Sequence, residues 1–235
     1  MMAFLESIYL SLKAALNTGQ VLRVVKITSG LLVSSMLVFT VAGTLVQDAK
    51  TFTISLLPST EEGHAQISLC ETEDFASPTT ALDAGGFPQM NNISQYWLPE
   101  DLNEYEGSHN GENYLAYSFY VKNTGDAAGI LSEQINLNAG VLGAEAAVRL
   151  RLYRNGEPTT YALMGADGNP EEGTEPFGED GVIVSHETES FEPGAIIKYT
   201  LVIWLEGDDP ECLDNIKGGQ VRMSMCFSVR DQKEA

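Results

Sequence analysis

The chain of 235 residues carries 33 Asp and Glu against 13 Lys and Arg, a formal net charge of −20, with only 3 Cys. So acidic a surface repels nucleic acid and anionic lipid, which excludes polyanions as partners. Three cysteines, Cys70, Cys212 and Cys226, make no disulfide framework; either one bridge, with Cys70 and Cys226 as candidates, or three free thiols fits them.

Residues 1–26 read as a cytoplasmic leader. Leu5, Ile8, Leu12 and Leu16 fall on one helical face, with Gly19 as a stop. An apolar run without a charged residue follows at 27–46, and Arg23 and Lys26 stand just before it. As a helix rising about 1.5 Å per residue, it is long enough for the roughly 30 Å core of a bilayer. Basic residues on the N-terminal flank hold that end in the cytoplasm, so the rest of the chain is expected outside the cell. Two fates fit the run. As a signal peptide it has an apolar core at 31–41 and small residues at Val41-Ala42-Gly43, so the mature chain begins near Thr44. Left uncut, it is a transmembrane anchor. Only Lys13, Arg23, Lys26 and Glu6 precede Thr44, so the exported part keeps 10 basic and 32 acidic residues, a net charge of −22.

From residue 47 to 235 the pattern predicts one all-β domain, an antiparallel β-sandwich of jelly-roll or Ig-like type. The first strands are expected at 51–57 and 65–70. Residues 71–113 read as a long polar loop, anchored by Trp97 and Leu98. At 114–123 the period is two. Leu115, Tyr117, Phe119 and Val121 form the apolar face, with Ala116, Ser118, Tyr120 and Lys122 opposite. Strands follow at 130–136, 148–153 and 159–164, with a short helix at 142–147. Asn155-Gly156 marks a hairpin between two of these strands. The last strands are expected at 181–186, 195–205 and 220–230. Leu201, Ile203, Met225 and Phe227 share the apolar phase of the final two, and should meet Tyr117 and Phe119 in one core.

Chemistry is sparse. No HExxH, GxSxG, SxxK, GxGxxG or P-loop occurs, and His64, His109 and His186 fall in separate segments. No enzyme and no cofactor is expected. The acidic stretches at 167–172 and 206–211 offer hard oxygen ligands of the kind Ca²⁺ takes: Asp167, Asn169, Glu171, Asp208 and Asp209. Glu172 stands where an EF-hand loop needs glycine, so solvated acidic loops are the simpler expectation. Arg149, Arg151 and Arg154 are expected by default to pair with acids on a neighbouring strand of their own chain, the alternative being an acidic surface of another subunit.

Four segments carry a resemblance: GSHNGENYLAYSFYVKNTG at 107–125, RLRLYRNGEPTTYA at 149–162, FEPGAIIKYTLVIWLEGDDPEC at 191–212 and GGQVRMSMCFSV at 218–229. Together they resemble uncharacterised exported proteins of Gram-positive Firmicutes, especially clostridia, which are distantly similar to the TasA/camelysin biofilm-matrix group. The resemblance implies an extracellular-matrix or cell-surface protein whose jelly-roll-like domain assembles into fibres. It further implies that the N-terminal strand of one subunit completes the sheet of the next. Phe52, Ile54 and Leu56 would then be the anchors of a donor strand at 44–57. Metalloprotease activity, described for camelysin-type relatives, finds no motif here. The expected partners are further copies or other matrix proteins, and the membrane through the N-terminal segment. A membrane-anchored module that binds a glycan or protein through residues 71–113 is the alternative.

Overall fold

The computed structural model describes residues 51–57, 65–86 and 90–231. The leader, the apolar run with its cleavage site, and His64 lie outside the described residues. Twelve strands make up two sheets, and no α-helix occurs among the described residues. The strands are β1 (Thr51–Leu56), β2 (Ile67–Cys70), β3 (Ala81–Gly86), β4 (Gly107–Ser108), β5 (Tyr114–Asn123) and β6 (Gly129–Val141). After them come β7 (Val148–Arg154), β8 (Glu157–Ala162), β9 (Glu175–Pro176), β10 (Val182–Glu187), β11 (Ile196–Leu205) and β12 (Gln220–Asp231).

One sheet has five strands in the order β10-β6-β12-β1-β3. The other has seven, in the order β2-β5-β11-β7-β8-β9, with β4 also paired to β5. Both are mixed sheets: β1 runs parallel to β12 and β9 parallel to β8, while the other pairs are antiparallel. Alternation predicts which residues face inward but not which strands pair. A parallel neighbour for β1, drawn from the far end of the chain, therefore leaves no local signal.

The sheets face each other across one core. Tyr117 and Phe119 on β5, Leu201 and Ile203 on β11, and Met225 and Phe227 on β12 all enter it, as their phase predicts. Phe119 stacks on Tyr199 with ring centres 5.4 Å apart. Phe227, from the opposite sheet, meets both rings edge-on at 5.9 and 5.2 Å. These offset and edge-on arrangements suit the quadrupoles of the rings. The β7–β8 turn is as expected: Asn155 and Gly156 both have positive φ, which a two-residue type I′ turn requires.

Residues 71–113 are more than a loop. They contain β3, β4 and two 3₁₀ turns, Gln95–Trp97 and Leu102–Glu104. Leu98 anchors the segment as expected, but Trp97 does not: it is 76% exposed, and the buried partner is Leu102. Both leucines pack on Ala116, Val202 and Trp204. The second face of β5 and β11, opposite the apolar phase, is therefore buried as well. The short helix expected at 142–147 is a single 3₁₀ turn, Ala144–Ala146.

The Cys70–Cys226 bridge is not formed; all three cysteines are free. Leu69 on one sheet and Met225 and Phe227 on the other point into the core. Strand alternation therefore sends Cys70 and Cys226 to opposite outer faces, beyond the reach of a disulfide.

Candidate functional site

The acidic loops converge on one arginine. β7 carries Arg149 to the outer side of its sheet, opposite the core residues Val148 and Leu150, yet it is only 4% exposed. Burying a lone guanidinium is costly, so acids must come to it. Asp209, from the loop after β11, forms an ion pair with it, and Glu171, from the loop after β8, lies 3.4 Å away. Glu211 joins them: the candidate ligand oxygens of Glu171, Asp209 and Glu211 all lie within 4.8 Å of one another. The backbone secures the cluster. Asp209 Oδ1 accepts from the Glu211 N–H at 2.7 Å, and Glu211 Oε1 accepts from the Ala166 N–H at 3.1 Å. The second bond joins the two loops.

Of the five residues put forward as calcium ligands, the structure thus brings together Glu171 and Asp209. Asp208 turns away and accepts from the Ser94 hydroxyl at 2.5 Å. Asp167 and Asn169 bond to each other, and those hydrogen bonds hold the Asp167 carboxyl below its ordinary range. Glu211, which alternation and spacing did not single out, takes their place. Three carboxylates face one guanidinium. Burial first, and the charge of Asp209 next, push the Glu171 carboxyl up, with Arg149 opposing. Glu171, Asp209 and Glu211 are the residues that could hold a cation, and a cation would compete there with Arg149.

A second buried charge joins the two sheets. Glu133 on β6 points inward between Leu131 and Ile135, where it pairs with Arg154 from the opposite sheet and accepts the Tyr199 hydroxyl. Burial lifts the Tyr199 phenol to about 12, against the pull of Arg154. The signal was present in the sequence: in Leu131-x-Glu133-x-Ile135 a carboxylate occupies the apolar phase of a strand. Arg149 and Arg154 do pair within the chain, but with acids from two loops and from the opposite sheet rather than from a neighbouring strand. Arg151 instead lies over the Trp204 ring and donates to Thr160 Oγ1 at 3.0 Å.

The proposed donor strand lies in its own sheet. β1 pairs with β12 on one side and β3 on the other, with Phe52 and Ile54 fully buried and Leu56 partly so. The described histidines form no site. Both ring nitrogens of His109 face backbone carbonyls, those of Gly107 and Leu102, at 2.9 Å each, while His186 sits exposed on β10.

No protein-family model, curated protein or solved structure matches this chain. Among the described residues no helix is long and apolar enough to cross a membrane.

Proposed function

We propose that this chain is an exported structural protein of a Gram-positive cell surface or extracellular matrix, a jelly-roll-type subunit that assembles into fibres by exchanging its first strand. The observation that supports the reading is the position of β1. It follows closely on the apolar run, runs parallel to the C-terminal strand, and fills a slot between β12 and β3 with two buried anchors, Phe52 and Ile54. A strand held this way is replaceable by the same strand of a neighbour. The ladders and pockets are identical, so exchange costs little once the ends are free. Removal of the signal sequence would free one end. The chain carries no recognisable catalytic motif, and its charge keeps nucleic acid away.

A membrane-anchored binding module is the second reading. Tyr96, 83% exposed, and Trp97 favour it: a 3₁₀ turn capped by Ser94 presents both rings to solvent.

Electron microscopy of the mature protein across a salt and Ca²⁺ series tests the first reading. Fibres are expected, with their growth capped by an excess of a peptide spanning residues 44–57. A protein that stays monomeric throughout rejects it in favour of the binding module.

A further inference from the structure

The two sheets differ in what lies on their outer faces. The seven-stranded sheet is covered by the chain's own residues 90–113. On the five-stranded sheet, the outward positions of the central strands form rows of short uncharged groups. Thr53, Ser224 and Asn136 stand in register across β1, β12 and β6, and Ser55, Cys226 and Gln134 form the next row. Among the described residues, hydrogen bonds run between these side chains within the face. Gln134 donates to Asn136 at 2.7 Å, and Asn138 donates to Ser224 at 3.0 Å. Among the described residues of the face, charges occur only at its margins, and they balance. Asp83 and Glu187 stand against Arg222 and Arg230, with Arg230 and Glu187 paired at 2.9 Å. A broad face without net charge is out of place on a chain of −20.

We propose that this face is a self-interface: the outer face of the five-stranded sheet packs against the same face of a second copy. Three arguments select that occupant. Two chains of this charge repel wherever their acidic surfaces meet, and a neutral face is where they can approach. Ser, Thr, Asn and Gln each donate and accept, so the face is complementary to itself under a twofold axis, which a charged partner's surface would not match. The size also fits. Five strands about 4.8 Å apart, rising about 3.3 Å per residue, give a flat area on the order of 600 Å². A standard interface buries roughly 800 Å² per partner.

The inference rests on the reading of the chain as an assembling subunit and adds a lateral contact to the strand exchange along a fibre. Cys226, central in the face, serves as a probe. In the full chain in nonionic detergent, alkylation of Cys226 is followed by peptide mass spectrometry at rising protein concentration, alongside sedimentation velocity. The wild type should self-associate, and Cys226 should become at least about tenfold slower to react as it does so. Ser55→Glu with Ser224→Glu should weaken association at least about tenfold, since like charges would then meet across the interface. Ser77→Glu with Ser108→Glu adds the same charge elsewhere and should associate like the wild type. Unchanged thermal midpoints show that both variants are folded. Equal association by the two variants would overturn the proposal, as would Cys226 protection that does not depend on concentration. The latter would mean that the chain covers its own face. Electron microscopy separates the two readings. Single fibres without lateral bundling from Ser55→Glu with Ser224→Glu support both. Unaltered bundles overturn the lateral contact alone. A wild type that never associates overturns both.

Discussion

The outer faces of the two sheets begin from similar alternation and end differently. On β5 and β11 the outward residues include Ala116, Val202 and Trp204, and a segment wrapped over them buries all three. On β1, β12 and β6 the outward residues, apart from Ile130, Arg222 and Arg230 at the margins, are Ser, Thr, Asn, Gln and Cys, and they remain half-buried at most. A strand's inward face is decided by its own period. Whether its outward face is also buried is decided by residues elsewhere in the chain, and the composition of that face records the outcome. The cover is secured by polar contacts as well: Lys198 donates to the Asn103 carbonyl at 2.6 Å, and the Gln95 N–H donates to Glu206 at 3.1 Å.

Substitutions on the two faces should separate them sharply. Trp204→Ala removes a fully buried ring from beneath the cover and should cost about 3–5 kcal/mol in denaturant unfolding. Asp209→Ala removes the nearer and fully buried counter-charge of Arg149, leaving Glu171 alone, and should cost about 3–5 kcal/mol at neutral pH by the same measurement. Leu102→Ala weakens the anchor of the cover itself. A loss of about 2–5 kcal/mol is expected, with faster amide exchange concentrated in residues 90–113 rather than in β6 and β12.

The smaller effects sharpen the comparison. Glu171 has its carboxyl raised in the folded chain, so the folded state holds that proton more tightly than the unfolded one. Its contribution is therefore favourable below the ordinary carboxylate range and lost as pH rises through the raised value. Glu171→Gln should leave neutral-pH stability unchanged or slightly higher, and should remove the gain in stability that Glu171 gives on acidification, so that the acidic limb of a stability–pH profile becomes steeper. Smallest of all, Ser224→Ala on the open face should change the unfolding free energy by no more than about 0.5 kcal/mol. A loss there as large as that of Trp204→Ala would erase the distinction.

Much of this was legible in the sequence, for definite reasons. The bounds of β5 were given by its alternation, and β11 and β12 each differ by one residue at one end from the period-two reading. Asn155-Gly156 gave the hairpin because the residue pair itself favours positive φ. Strand β3 was missed because Ala81-Leu82-Asp83-Ala84-Gly85-Gly86 lacks the branched and aromatic residues that mark strands. Strands β4 and β9 have two residues each, too few for any period. At the acidic cluster, Glu171 and Asp209 were visible as ligand types. That Arg149 would draw them together, and that Glu211 would join, depended on two loops distant in sequence. The cover could have been suspected from Val202 and Trp204, apolar residues on the phase of β11 opposite Leu201 and Ile203.

The contrast between a covered and an open face is tested most directly by the chain's own cysteines. Cys70 lies outward on the seven-stranded sheet and is buried, while Cys226 lies outward on the five-stranded sheet and is only half-buried. Their acidities run the other way. At Cys70, burial raises the thiol but hydrogen bonds from Thr72, Ser77 and Glu71 outweigh it and lower the pKa; at Cys226, burial raises the pKa unopposed. Thiolate content alone would make Cys70 the faster nucleophile, and access alone would make it the slower. Alkylation of dilute native protein by iodoacetamide, resolved by peptide mass spectrometry, separates the two effects. The account predicts that Cys226 reacts first despite its raised pKa; faster modification of Cys70 would contradict it.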